Sequence, residues 1–209
     1  MLDVGDSSEG HPSPGGFEGS SAPDGGDGSR TGREAERRER LAAFDAAARE
    51  IAARVVPAYR AADGWLERTR AGLGALLRAL DQRPQAARAL LIDSIAWGPE
   101  VLERRGELAE ALAEALEPAR GEVEPVGPLP QATAENLVGA SLSWVQTRLR
   151  TEAGPLLELA PSLMCMIVQP YLGAEAAGRE LERPLTEVGA EVAQREGGGS
   201  VLGPFTVRS

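Results

Sequence analysis

Apolar residues recur three and four positions apart through most of residues 33–184, which predicts a succession of amphipathic helices. The first starts in the charged run 33–40, where Glu34/Arg38 and Glu36/Arg40 are i,i+4 pairs, and continues through Leu41, Phe44, Ala48, Ile51 and Val55. Pro57 has no amide hydrogen and crowds the turn before it, so it is expected to kink or interrupt this helix. Asp63-Gly64 is expected to close it. A second helix is predicted over 65–81, with Leu66, Leu73, Leu76, Leu77 and Leu80 pointing inward. Pro84 opens a third at a first-turn position, carrying Ala87, Leu90, Leu91, Ser94 and Trp97. Gly98-Pro99 stops it and starts a fourth, over 100–119, apolar at Val101, Leu108, Leu112 and Leu116.

Pro125, Pro128 and Pro130 make 121–130 a loop. Thr133 is placed to cap a fifth helix reaching residue 151, with Leu137, Val138, Leu142, Val145 and Leu149 on one broad face. Gly154-Pro155 separates it from a sixth that runs to Tyr171, where Gly173 suits a C-cap. A short last helix spans 174–183 and ends at Pro184. No strand pattern competes, so the expected fold is an all-α bundle of about seven helices.

The ends read differently. Residues 1–32 are rich in Gly, Ser, Pro and Asp and hold too little apolar surface to offset ordering entropy, so the segment is expected to be disordered. Residues 185–209, with the Gly197-Gly-Gly-Ser200 tract, read as a flexible tail. The expected organisation is thus 1–32 disordered, 33–184 folded, 185–209 tail.

Charge and composition narrow the classes. Net charge is −10, the wrong sign for general attraction to phosphate backbones. Half of that excess lies in residues 1–32, where Asp3, Asp6, Glu9, Glu18, Asp24 and Asp27 face only Arg30. Aromatic residues are 4% of the chain, so the core must rest on Leu, Ala, Val and Ile. Cys165 is the sole cysteine, which rules out an internal disulfide and suits a reducing compartment. The first residues lack the basic and apolar blocks of a signal peptide. The longest apolar run, around 159–168, is about half of a bilayer span. A cytoplasmic protein without membrane contact is expected.

Several phrases carry a resemblance. Leu41-Ala-Ala-Phe-Asp-Ala-Ala47, the stretch 65–80 followed by Arg83-Pro84-Gln-Ala-Ala-Arg-Ala-Leu-Leu91, and Gly98-Pro99-Glu100 occur in that order. Thr133-Ala-Glu-Asn-Leu-Val-Gly139 and the stretch 155–172 ending in Pro170-Tyr-Leu-Gly173 follow. Together they resemble the C-terminal ligand-binding and dimerisation domain of TetR/AcrR-type transcriptional regulators. The resemblance implies a helical homodimer with an internal cavity for a small hydrophobic effector. That family places a three-helix head with a helix-turn-helix before this body, and nothing in 1–38 resembles it. A recognition helix needs a folded support to enter the major groove, so direct DNA binding by these residues is not expected. Mixed dimers with a full-length TetR-like regulator, a misassigned gene start, or a frame-shifted head are the alternatives this leaves.

Candidate ligand-binding residues are Tyr59, Asp93, Ser94, Trp97, Trp144, Thr147 and Met166, a mostly apolar set with a few polar groups for orientation. The competing reading of these aromatics is plain core packing. For the dimer interface, Val138, Leu142, Val145, Leu149, Leu163, Met164, Ile167 and Tyr171 would form four helices across a two-fold axis. Two helices apolar over more than one face leave more surface than one neighbour covers. Catalysis is not expected. His11 is the only histidine and lies in the amino-terminal segment, which removes Cys-His, Ser-His and His-based metal sites from the fold. Glu103, Glu107, Glu110 and Glu114 recur as a solvated helix face, and Gly72-Leu-Gly74 follows no strand and is no phosphate loop. No cofactor or metal is expected.

Overall fold

A computed structural model describes residues 26–118, 121–130 and 133–183. Among them are the α-helices α1 (Gly26–Arg60), α2 (Trp65–Gln82), α3 (Pro84–Leu91), α4 (Pro99–Leu116), α5 (Thr133–Thr151) and α6 (Ala160–Glu182), with 3₁₀ turns at Asp93–Ala96 and Leu156–Leu159. No strand occurs among the described residues. The all-α expectation holds at that level.

The helix boundaries depart from the sequence pattern in four places. Residues 26–32, assigned by composition to a disordered segment, are the first turns of α1. Extending an existing helix adds one backbone bond per ordered residue, so glycine-rich turns can follow from a strong nucleus. Residues 1–25 and 184–209 lie outside the described region, and with them most of the predicted amino-terminal segment and the tail. Pro57 does not interrupt α1, which runs on to Arg60 and is followed by the bond from the Ala61 amide to the Pro57 carbonyl (3.0 Å). So close to the end, a proline costs one backbone bond rather than the whole helix.

The predicted third helix stops at Leu91 and gives way to the turn Asp93–Ala96. Here the Leu90 carbonyl accepts from the Ser94 hydroxyl (2.7 Å) and from the Arg105 guanidinium of α4, side-chain bonds that compete with continuation of the helix. The two predicted carboxy-terminal helices run together as α6, broken at Gly173. With φ 81° and ψ 176° this residue occupies a region open only to glycine.

One main core joins α1, α2 and α3 to α4, α5 and α6. Its buried members include Phe44, Ile51, Leu77, Leu80, Leu90, Val101, Val145, Leu156 and Leu163. A second cluster surrounds Trp65 and Tyr171, whose ring centroids are 4.8 Å apart with a 54° tilt, together with Met164, Ile167 and Val168. Trp65 Nε1 donates to the Leu116 carbonyl (2.6 Å), so the buried indole is satisfied and ties α2 to the end of α4.

Two polar clamps position the carboxy-terminal part. Asp81 accepts the amides of Leu156 (2.8 Å) and Leu157 (3.1 Å), capping the Leu156–Leu159 turn from the end of α2. Arg70 of α2 is 3% exposed and donates Nε to Glu180 of α6 at 3.0 Å, while also pairing with Glu67. The segment Leu156–Glu182 has the length and composition of a membrane span. Leu163, Met164, Ile167, Val168 and Tyr171 of it are buried in the core, while 39% of its most apolar window is buried in all.

Candidate ligand cavity

Where α1 and α2 cross, small side chains bring the backbones close. Gly72 faces Tyr59 so tightly that a Cβ there would lie 3.1 Å from the tyrosine ring. Next to this crossing the two helices diverge from α4, α5 and α6 and leave a partly enclosed cavity of about 120 Å³. Val55, Val56 and Tyr59 of α1 form one wall, and Thr69, Leu73 and Leu76 of α2 the next. Leu112, Ala115 and Leu116 of α4, Val138, Ser141 and Leu142 of α5, and Ile167 of α6 close the rest. No charged side chain is among them.

The polar atoms of this lining differ in how they are satisfied. Tyr59 donates its hydroxyl to the Ala115 carbonyl (2.7 Å), and Ser141 donates to the Leu137 carbonyl one turn back (2.7 Å). Thr69 is 5% exposed and its Oγ1 has no hydrogen-bond partner. A buried hydroxyl left unpaired costs about 1–3 kcal/mol.

Tyr59 is held from outside as well. The Arg68 guanidinium lies 5.8 Å from its ring centroid and is fixed by two 2.7 Å hydrogen bonds to Glu122 in the 121–130 loop. The bond to Glu122 is the main cause of the raised Arg68 pKa. Nearby in the second cluster, the Tyr171 hydroxyl is buried without a partner. Burial first, and then Glu117 and Glu135, push its pKa up to about 12.

Among the residues expected to bind ligand, Tyr59 alone lines this cavity. Ser94 is fully buried in the 93–96 turn, where it also accepts from Arg105 at 2.7 Å. Asp93 stands 3.9 Å from Arg88 at the surface, and Trp97 packs against the main core. Trp144 is 46% exposed, Thr147 is exposed and donates to the Ser143 carbonyl, and Met166 packs on the main core. The structure therefore does not bring Asp93, Ser94, Trp97, Trp144, Thr147 and Met166 together with Tyr59 around this cavity.

The residues expected at a dimer interface face the chain's own interior. Val138, Leu142 and Ile167 line the cavity, Val145, Leu149 and Leu163 belong to the main core, and Met164 and Tyr171 sit in the second cluster. Within the chain α5 packs chiefly on α4 and α6 on α2, and of the eight residues Leu142 and Leu149 stay partly exposed. A helix read singly shows how wide its apolar stripe is, not which neighbour meets it. The missed cavity residues had a faint signal: Thr69 and Ser141 are polar positions within otherwise apolar helical faces.

Among the described residues no group of three or more His, Cys, Asp or Glu is assembled. No family model, curated protein or solved structure matches this chain.

Proposed function

We propose that this chain is a non-catalytic, small-molecule-sensing body of the TetR/AcrR regulator type, working in the cytoplasm as a dimer. The observation that carries the sensing role is the apolar cavity between α1, α2, α4, α5 and α6, with no charged side chain and only Tyr59, Thr69 and Ser141 as polar residues in its lining. Sites of this composition, apolar with few polar groups, suit small organic ligands. The regulator class rests on the order of the phrases that resemble the family, which fall on α1 to α6 in sequence.

In this reading DNA contact belongs to a partner, such as a full-length regulator in a mixed dimer. The described residues ahead of 33 are the opening turns of α1. Pairing uses the outer side of α5, where Gly139, Ser143, Trp144 and Thr147 are exposed, in place of the buried set expected from sequence.

Trp65 reports on the cavity, because its indole is bonded to Leu116 of the cavity wall. In a Trp97→Phe/Trp144→Phe background, saturable change of Trp65 fluorescence with a panel of apolar effectors is the expected result. No saturable change with any of them, in a folded protein, removes the sensing role and leaves an interaction module. For pairing, light scattering is expected to give a dimer, and Trp144→Glu a monomer of unchanged helicity. A monomeric wild type rejects the dimer.

A further inference from the structure

We infer that the cavity takes a ligand whose buried part is pure hydrocarbon, about one ring in size, with any polar group of that ligand left at the open side. This rests on the sensing role proposed above and gives that site its ligand chemistry. Size, charge and hydrogen bonding each narrow the choice.

An apolar cavity of about 150 Å³ holds a benzene ring, and the volume here is about 120 Å³ with one side open. One ring, or a branched alkyl group of similar bulk, is therefore the scale of the buried part. With no charged side chain on the wall, a buried carboxylate or ammonium would lose its hydration without a counter-ion, which disfavours both strongly.

Hydrogen bonding narrows the class further. Tyr59, Thr69 and Ser141 are the lining residues with a hydroxyl, and none has a proton to offer a ligand. Tyr59 donates to the Ala115 carbonyl and Ser141 to the Leu137 carbonyl. The Thr69 hydroxyl oxygen is sealed within the protein, out of reach of anything in the cavity. The lining residues all lie in helices, and the carbonyls of Ala115 and Leu116 at the end of α4 accept from Tyr59 and Trp65. Almost the whole of the accessible wall is consequently carbon. A hydroxyl or amide buried against it gives up its bonds to water and gains none, whereas a hydrocarbon has none to give up.

The test uses three rings of nearly equal shape, p-xylene, p-cresol and hydroquinone, titrated into the full chain by calorimetry. In p-cresol the methyl can enter and the hydroxyl stay at the opening, while hydroquinone buries a hydroxyl whichever way it enters. Expected are saturable binding of p-xylene and p-cresol, with hydroquinone about tenfold weaker than p-cresol. Ala115→Leu from α4 and Ser141→Leu from α5 each narrow the space, and each should abolish p-xylene binding with helicity unchanged. Binding of p-xylene without p-cresol also supports the inference, the whole ligand then being hydrocarbon. Hydroquinone bound as well as p-cresol overturns the inference and leaves the sensing role standing. Failure of all three rings on folded wild type, or p-xylene binding that survives in both folded variants, overturns the inference and the cavity's role together.

Discussion

At the scale of single residues, two buried hydroxyls without partners are the most informative groups. Thr69→Val removes an unpaired polar atom at nearly constant shape, so the ligand-free protein should gain about 1 kcal/mol in urea unfolding. A loss of stability would mean that the hydroxyl is satisfied. Tyr171 couples stability to alkali. Its folded-state pKa of about 12 lies above the ordinary 10, because the buried phenol resists ionisation more in the folded chain than in the unfolded one. The sign follows: this contribution is fully present below pH 10 and is lost as pH rises from 10 through 12. Urea midpoints at pH 8 and pH 11 should therefore diverge in the wild type and converge in Tyr171→Phe.

At the scale of elements, Gly173 and the Arg70–Glu180 pair decide how α6 lies on the bundle. At Gly173 any side chain meets both a glycine-only backbone and Val126, whose Cγ2 would be 3.1 Å from a new Cβ. Gly173→Ala should thus destabilise by about 1–3 kcal/mol, read as a lowered thermal midpoint. The ion pair joins residues 3% and 6% exposed, so neither charge can turn to water. Glu180→Gln strands the guanidinium with only the more exposed Glu67 and should cost about 3–5 kcal/mol, whereas Arg70→Met/Glu180→Leu together should recover most of that loss. Denaturant titration of the three proteins checks it. Equal losses for the single and the double change would show that packing, not charge, fixes the site.

At the scale of the whole molecule, the cavity exists because five helices converge on it without filling it. Most of the bundle was legible beforehand: the stripe Leu41, Phe44, Ile51 and the leucines of 73–80 do pack into one core. The cavity was not. Its walls are ordinary members of those stripes, such as Val55, Leu73 and Leu112, and nothing in their spacing separates a residue that fills a core from one that borders a void. The large aromatics gave the wrong emphasis, since Trp97 packs half-buried against the main core and Trp144 faces outward while Tyr59 alone reaches the cavity. The exposed face around Trp144 gives the pairing proposal its place, and Trp144→Glu is its test in solution.

The sequence by itself determined the helical class, the punctuation at Gly64, Pro84, Gly98-Pro99 and Pro155, and the absence of strands among the described residues, because those follow from local periodicity and backbone restriction. Tertiary structure alone decided that Arg70 finds Glu180 across 110 positions of chain. It also decided that the broad apolar faces of α5 and α6 turn inward, leaving Thr69 beside an open volume. The reason is physical: periodicity fixes which side of a helix is apolar, while burial, ion pairing and voids arise only when several such sides meet.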